Sequence, residues 1–327
     1  MRPPDKNLQH IPVLRDTFTL ESGDEHSTVY SILNPQSEET IIDVTLGLGG
    51  HAIGFLERIG PTGKLIGIDA DPENIRLAEE RLEPWKDQTT IIHGNFRDLQ
   101  SLDLPTVDIL FADLGLSSPH LDDAARGFTF REDGPLDLRF DRTRGKTAAE
   151  WIASCSEKSL SHIFHAYGEL REHRRLASVI VRALQGEKRG FSTTAALRSL
   201  IEKTFGYRAP QLLPQVFQAL RIAVNDELGA LGSLLEHGPS LLKTGGRMGI
   251  ISYHSLEDRM VKQAFRALST GTKDERTGGI AVPASFKLLT KKAVVPCPEE
   301  IARNPRSRSA KFRAMTKLKI QETRYKE

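Results

Sequence analysis

At 327 residues, with 39% hydrophobic and 27% charged side chains, the chain is long enough for about two domains, and its usage excludes collagen, low-complexity and wholly disordered classes. No stretch approaches the ~18 uninterrupted apolar residues of a membrane span, and MRPPDKNLQH carries no apolar run of the signal-peptide kind, so a soluble, cytoplasmic protein with no membrane partner is expected. Net charge is only +2, but residues 301–327 hold nine basic and two acidic residues, while residues 103–141 hold nine acids against three arginines. A basic end of this kind is either a solvated tail or a contact for a polyanion.

From Thr40 onward, short β-branched runs alternate with helical patterns, which predicts a doubly wound α/β fold: a parallel sheet flanked by helices. TIIDVT is the first strand; Gly47, Gly49 and Gly50 make a tight turn; HAIGFLERIG is a helix that stops at Gly60 and Pro61. KLIGIDAD is a second strand containing Asp69, PENIRLAEERL a helix with Pro72 in its first turn, and TTIIHGNF a third strand. VDILFADLGL, apolar almost throughout, is a fourth strand buried on both faces. Residues 114–146 then lose all periodicity and read as a functional loop. From Thr147 to about Phe205 the pattern is only helical, opening on Thr147 and Glu150 at capping-box spacing, so a helical insertion is expected. Long helical segments continue through LLPQVFQALRIAVNDELGALGSLLEHGPSLL, KTGGRMGIIS leads into another strand, and AKFRAMTKL alternates as an edge strand does. The division predicted is 1–117 with 214–327 in one domain and 118–213 in the insertion. Cys155 and Cys297, far apart, are expected to be reduced structural thiols.

A glycine turn between a first strand and a helix lets backbone N–H groups approach a ligand, and an acid ending the second strand can bind a ribose diol. Gly47, Gly49, Ala52 and Asp69 meet that pattern, which fits a nicotinamide dinucleotide as well as S-adenosylmethionine. Phe96 follows the third strand, where a side chain can cover an adenine, and Asp113 ends the fourth, facing the crevice at the carboxyl ends of the strands. Taken singly, Phe96 is a core residue and Asp113 a helix cap; taken in strand order they form a site.

Several longer motifs carry a resemblance. His10-Ile-Pro-Val-Leu14, Asp43-Val-Thr-Leu-Gly-Leu-Gly-Gly-His51, Ile68-Asp69-Ala-Asp-Pro72 and Asp113-Leu-Gly-Leu-Ser-Ser-Pro-His-Leu-Asp-Asp123 run on to Arg126-Gly-Phe128. They are followed by Gly134-Pro-Leu-Asp-Leu-Arg139, Phe217-Gln-Ala-Leu-Arg-Ile-Ala-Val-Asn-Asp-Glu227, Ser252-Tyr-His-Ser-Leu-Glu-Asp-Arg259 and Asn304-Pro-Arg-Ser-Arg308. In this order over most of its length, the chain resembles the bacterial 16S ribosomal RNA cytosine-N4 methyltransferases. The resemblance implies a Rossmann-like methyltransferase sheet with a helical insertion domain for substrate recognition. It implies S-adenosyl-L-methionine as cofactor and a cytidine in the decoding region of the small ribosomal subunit as substrate. A homodimer is a candidate assembly. Carried over by motif, Gly49, Gly50, His51, Asp69, Phe96, Asp113 and His120 bind the cofactor. The chain departs from the family's usual residues at His120 (Gln), Leu170 (Glu) and Gln215 (Arg), and its segment 16–31 is longer than the family's.

An exocyclic cytosine amine is a weak nucleophile because its lone pair is delocalised into the ring, so a group must accept an N–H bond and orient it; Asp113 is the candidate catalytic residue. Phe128, as a stacking ring, and His254, Arg306 and Arg308, as crevice and phosphate contacts, are candidate substrate residues. Ser252, His254 and Ser255 lack the GxSxG elbow of a hydrolase. The acids Asp122, Asp123, Asp133, Asp137 and Asp141 are read as partners of the loop arginines, and no metal is expected. Two rival classes remain, a nicotinamide-dependent oxidoreductase and a non-catalytic RNA-binding module; neither accounts for the whole set of motifs.

Overall fold

The computed structural model describes residues 12–15, 27–186, 192–273 and 280–319. The initial MRPPDKNLQH, Ile11, most of the 16–31 segment and the last eight residues lie outside the described residues. Contacts divide the chain into two compact units, one of Met1–Gly115 with Ala230–Glu327 and one of Leu116–Gly229.

The first unit opens with helix α1 (Val29–Leu33), then strand β1 (Thr40–Asp43), α2 (Gly50–Ile59), β2 (Lys64–Asp69), α3 (Pro72–Leu82), β3 (Thr89–His93) and β4 (Val107–Asp113). Each strand coincides with a β-branched run of the sequence; α2 and α3 start within a residue of where they are predicted, and α1 is not among the predicted elements. Asp71 caps α3 by accepting from the Glu73 amide at 2.9 Å, with Pro72 in the first turn. After the second unit come β5 (Leu242–Ser252), α11 (Ser255–Leu268), the short β6 (Thr272–Lys273), β7 (Ile280–Val282) and β8 (Phe286–Leu288), α12 (Pro298–Arg303) and β9 (Lys311–Lys317). Seven strands form one sheet in the order β3-β2-β1-β4-β5-β9-β8. β1 to β5 are mutually parallel, whereas β9 runs antiparallel to both β5 and β8.

Period-two burial makes the sheet two-faced. Ile41, Ile109, Phe111, Ile251 and Phe312 point into a core shared with Leu33, Phe55, Leu56, Ala78 and Leu82 of the helices. Their neighbours Ile42, Leu110, Ala112, Ile250 and Met315 point the other way, onto Leu231, Leu234, Val261 and Phe265. That is the doubly wound arrangement expected. One expectation is corrected: residues 310–318 do not make an edge strand. β9 lies between β5 and β8, and Phe312, Ala314 and Met315 are buried. The edge is β8, a three-residue strand too short to leave a periodic signal.

The second unit holds α4 (Ser118–Asp122), α5 (Ala148–Ser154), α6 (Glu157–Ala166), α7 (His173–Gly186), α8 (Thr194–Phe205) and α9 (Ala209–Asn225), and the division falls inside α10 (Glu227–His237). The predicted capping box closes around Thr147 and Glu150. Ile152, Leu160, Phe164, Leu176, Ile180, Leu197, Ile201, Val216 and Leu220 form its core. The unit therefore runs past the predicted boundary at residue 213. α9 continues through Pro214, and its apolar stripe of Leu212, Leu213, Val216, Phe217 and Leu220 belongs to the insertion core. The aperiodic loop is held by polar groups instead of periodicity. Buried Arg126 donates to the carbonyls of Arg139 and Phe140 at 3.2 and 2.9 Å, and Asn225 of α9 donates to Leu138 O and accepts from Phe140 N at 2.8 and 2.9 Å. Asp137 pairs with Arg139 and Arg142, and Asp141 with Arg144.

Candidate active site

The carboxyl ends of β1, β2 and β4 carry the candidate site. After β1 the chain turns through Gly47 and Gly49, both in the left-handed region (φ +53° and +73°), a conformation that costs an L side chain and that glycine takes freely. A Cβ on Gly47 would meet nothing nearer than Thr45 O at 3.8 Å, so the turn presents bare backbone. Gly49 caps α2, directing the first amides of that helix outward. At Gly50 a Cβ would come within 2.6 Å of Pro12, so that position admits no side chain. Two side chains pin the turn from outside it. Arg81 donates to Leu48 O at 2.8 Å, and Asp69 Oδ2 accepts from Gly47 N at 2.6 Å. Asp69 Oδ1 also accepts from Asp71 N at 2.8 Å and Asn74 Nδ2 at 3.3 Å. Asp69 is thus a clamp on the glycine turn as well as a ribose candidate, a role sequence reasoning missed.

Asp113 sits at the end of β4, its side chain 16% exposed. Thr45 staples β4 to β1: its hydroxyl accepts from Asp113 N at 2.6 Å, and its amide and hydroxyl donate to Asp43 Oδ1 at 3.1 and 3.4 Å. Asp113 Oδ1 accepts from the amide of Gly115, beside which the Tyr253 ring stands, at 3.3 Å, and His51 Nε2 lies 3.6 Å from Oδ2. His51 is held in turn by Tyr30, whose hydroxyl donates to the His51 carbonyl at 3.1 Å. Burial pushes Asp113 up to about 6 and, more strongly, Asp43 up to about 7. A carboxylate poised near neutrality can accept a hydrogen bond or a proton from a weakly basic amine. Asp43, Thr45 and Tyr253 were not singled out from the sequence. Asp43 ends β1 as Asp69 ends β2, and that parallel was the available signal.

The other candidates are placed as follows. Phe96 opens the turn after β3, capped by Asn95, and its half-buried ring packs on the sheet core. His254 caps α11: its ring accepts from Glu257 N at 3.4 Å, while Glu257 Oε2 accepts from the amides of Tyr253 and His254 at 2.8 and 3.3 Å. Arg306 and Arg308 are exposed on a single turn capped by Asn304. Because β9 is antiparallel to β5, Lys311 pairs with Ser252, which puts that turn at the same end of the sheet as Asp69 and Asp113. Lys311 and Arg313 pair with Asp258 of α11 at 3.5 and 2.7 Å, not with the acidic loop. In the second unit, the buried His120 takes Ser117 N on Nδ1 at 3.2 Å, and its ring lies 5.0 Å from Phe128 and 5.2 Å from Phe140. Phe128 is itself buried and stacked on Phe140, a core position.

A doubly wound sheet with a glycine turn after β1 and acids ending β1, β2 and β4 defines an α/β enzyme for a nucleotide-like cofactor. Comparison with known proteins decides which cofactor. The chain is 41% identical over 323 residues to ribosomal RNA small subunit methyltransferase H of Bacteroides fragilis, covering 96% of this chain and 99% of that one. It is 42% identical to the protein of the same name from Synechococcus sp. (96% of each) and 40% identical to that from Sorangium cellulosum (97% and 93%). A family model matches residues 7–318, and the chain belongs to the MraW methylase family, enzymes that use S-adenosyl-L-methionine. The nicotinamide reading falls away, and the glycine turn and the acids at the strand ends fit the methyl donor.

Proposed function

We propose that the enzyme methylates the exocyclic N4 of a cytidine in the decoding region of 16S ribosomal RNA, within the small subunit. Its relatives' name and the partly exposed Asp113 at the end of β4 support this reading, and Asp113 carries it. Gly49, Gly50 and His51 would line the cofactor, Asp69 would hold its ribose, and Phe96 and Asp113 would contact the remainder. When bound, S-adenosyl-L-methionine supplies a methyl group already activated by a positive sulfur, so alignment supplies most of the acceleration. Asp113 accepts one N–H of the amine and thereby favours a pyramidal nitrogen with its lone pair directed at the methyl. Asp113 would take up the proton that the methylated amine gives up and pass it on to water. No covalent enzyme intermediate is involved.

The Leu116–Gly229 unit recognises the RNA, and Arg306 and Arg308 hold phosphates beside the crevice. His254 and Phe128 serve that recognition through the cap and the core they complete. A cytoplasmic location and a homodimer complete the proposal. Among the described residues no helix is long and apolar enough to cross a membrane. The test is incubation with labelled methyl donor and small subunits, or their free 16S RNA, from a strain lacking the gene, followed by nucleoside mass spectrometry. N4-methylated cytidine is expected. A methyl group on carbon 5, on another base or on none refutes the reading, and sedimentation as a fully active monomer refutes the dimer.

A further inference from the structure

The end of the motif His10-Ile-Pro-Val-Leu14 packs against the start of α2. Residues 12–15 form a short strap there: the Pro12 ring stands against Gly50, the first residue of that helix, so closely that a Cβ at Gly50 would lie 2.6 Å from Pro12 Cγ. Val13 and Leu14 are buried in the same core as Phe55 of α2. Leu14 has φ +55°, in the left-handed region that a branched L side chain rarely adopts. Such a conformation persists only where its surroundings fix it from several sides. Here the side chain is fully buried, the carbonyl accepts from Val29 N at 3.0 Å, and the amide donates to Glu300 Oε1 at 2.6 Å.

Glu300 belongs to the first turn of α12, 286 residues further along the chain, and is only 5% exposed. Burying a carboxylate is costly unless its oxygens are bonded, and a backbone N–H given to a carboxylate is one of the stronger hydrogen bonds. The bond therefore ties the strap down firmly. What the strap presses on is the glycine turn. That turn is braced by Leu82, 3.3 Å from where a Cβ on Gly49 would be, by Arg81 at the Leu48 carbonyl and by Asp69 at the Gly47 amide. Pro12 is the brace at Gly50. Among the described residues no side chain caps α2 at Gly49, so this helix end is open to a ligand, and its shape depends on the groups packed around it.

We infer that Glu300 is a positioning residue for the cofactor: by holding the Leu14 amide it keeps Pro12 seated on Gly50, and so fixes the glycine turn in the form that receives S-adenosyl-L-methionine. This rests on the reading of that turn as the cofactor site. Glu300→Ala removes the acceptor, and the strap is then seated in only a fraction of molecules. With about a tenth of them seated, apparent affinity for S-adenosyl-L-methionine, measured by calorimetry on the full chain, falls about tenfold. In methyl transfer to small subunits the loss falls on the cofactor's KM and not on kcat, because bound cofactor restores the seat. Glu300→Gln keeps an oxygen for the Leu14 amide and recovers most of the affinity. Pro12→Ala leaves the Glu300 bond in place but takes the ring off Gly50; it weakens binding to a similar extent, and combining it with Glu300→Ala adds little further loss. Wild-type affinity in folded Glu300→Ala, a loss confined to kcat, or losses that simply add in the double variant overturn the assignment. Should Glu300→Ala melt too low to assay, wild-type affinity in Pro12→Ala overturns it. Failure of the underlying reading looks different: Asp69→Ala with wild-type cofactor affinity removes the glycine turn from cofactor binding, whereas weakened binding in Asp69→Ala beside unaltered binding in Glu300→Ala removes Glu300 alone.

Discussion

Asp69 is engaged on two sides, and Asp69→Asn separates them. The carboxylate accepts from Gly47 N at 2.6 Å with one oxygen and from Asp71 N and Asn74 Nδ2 with the other. The amide of Asn keeps the second oxygen but turns an N–H₂ toward the Gly47 N–H, so a charge-assisted bond is lost and two donors face each other. Loss of such a bond costs about 1.5–3 kcal/mol and a stranded donor about 1–3 kcal/mol, so a destabilisation of roughly 2–4 kcal/mol and a melting temperature several degrees lower are expected. If Asp69 also accepts from the ribose, S-adenosyl-L-methionine binds roughly ten- to 150-fold more weakly by calorimetry, the equivalent of one bond to a charged acceptor. A loosened turn alone would also weaken binding, so the assay includes a cofactor analogue without ribose hydroxyls. Wild type discriminates against that analogue and the variant does not, a coupling that only a direct contact produces. Equal discrimination by both proteins refutes the ribose contact, and an unchanged melting temperature refutes the clamp.

Much of this was legible in the sequence because the sheet repeats a local code. β1 to β4 are β-branched runs closed by Gly, Asp or Asn, so their order and the place of Asp69 and Asp113 follow from parallel winding alone. The capping box at Thr147 was equally local. What failed were features set by partners distant in sequence. β9 reads as an edge strand because its alternation is half polar, but Arg313 faces Asp258 and not solvent, and a three-residue strand covers its far side. The boundary at 213 failed because α9 is helical on both sides of it, and only the packing of Val216 and Leu220 shows which core it serves. Tyr253 stands inside one of the long motifs, yet nothing local indicates that its ring packs beside Gly115, 138 residues earlier in the chain.

Asp113→Asn is expected to depress single-turnover methyl transfer by at least tenfold while RNA affinity stays within about twofold, because the amide keeps the shape and loses acceptor strength; a rate within twofold of wild type refutes the role. With Asp113 at about 6, transfer by the wild type should fall as pH drops through about 6, and a flat profile from pH 5 to 8 speaks against a titrating carboxylate. Replacing Arg306 and Arg308 together with Gln should reduce the slope of log affinity for single-stranded RNA against log salt by about 1.4, without changing cofactor affinity; an unaltered slope with a lowered melting temperature assigns the pair to folding. The last expectation concerns Asp43, which burial lifts from 3.8 to about 7. Below pH 4 the folded and unfolded states are both protonated and the site costs nothing. Between about 4 and 7 the unfolded chain releases this proton while the folded one keeps it, so stability falls with rising pH; above 7 both are ionised and the cost stays at about 4 kcal/mol. Asp43→Asn keeps an acceptor for Thr45 and cannot ionise, so it should be more stable than wild type at pH 8, by a margin that shrinks toward zero at pH 4. Urea unfolding of both proteins across that range measures the difference directly, and a margin independent of pH would show that Asp43 is ionised in the fold as freely as in water.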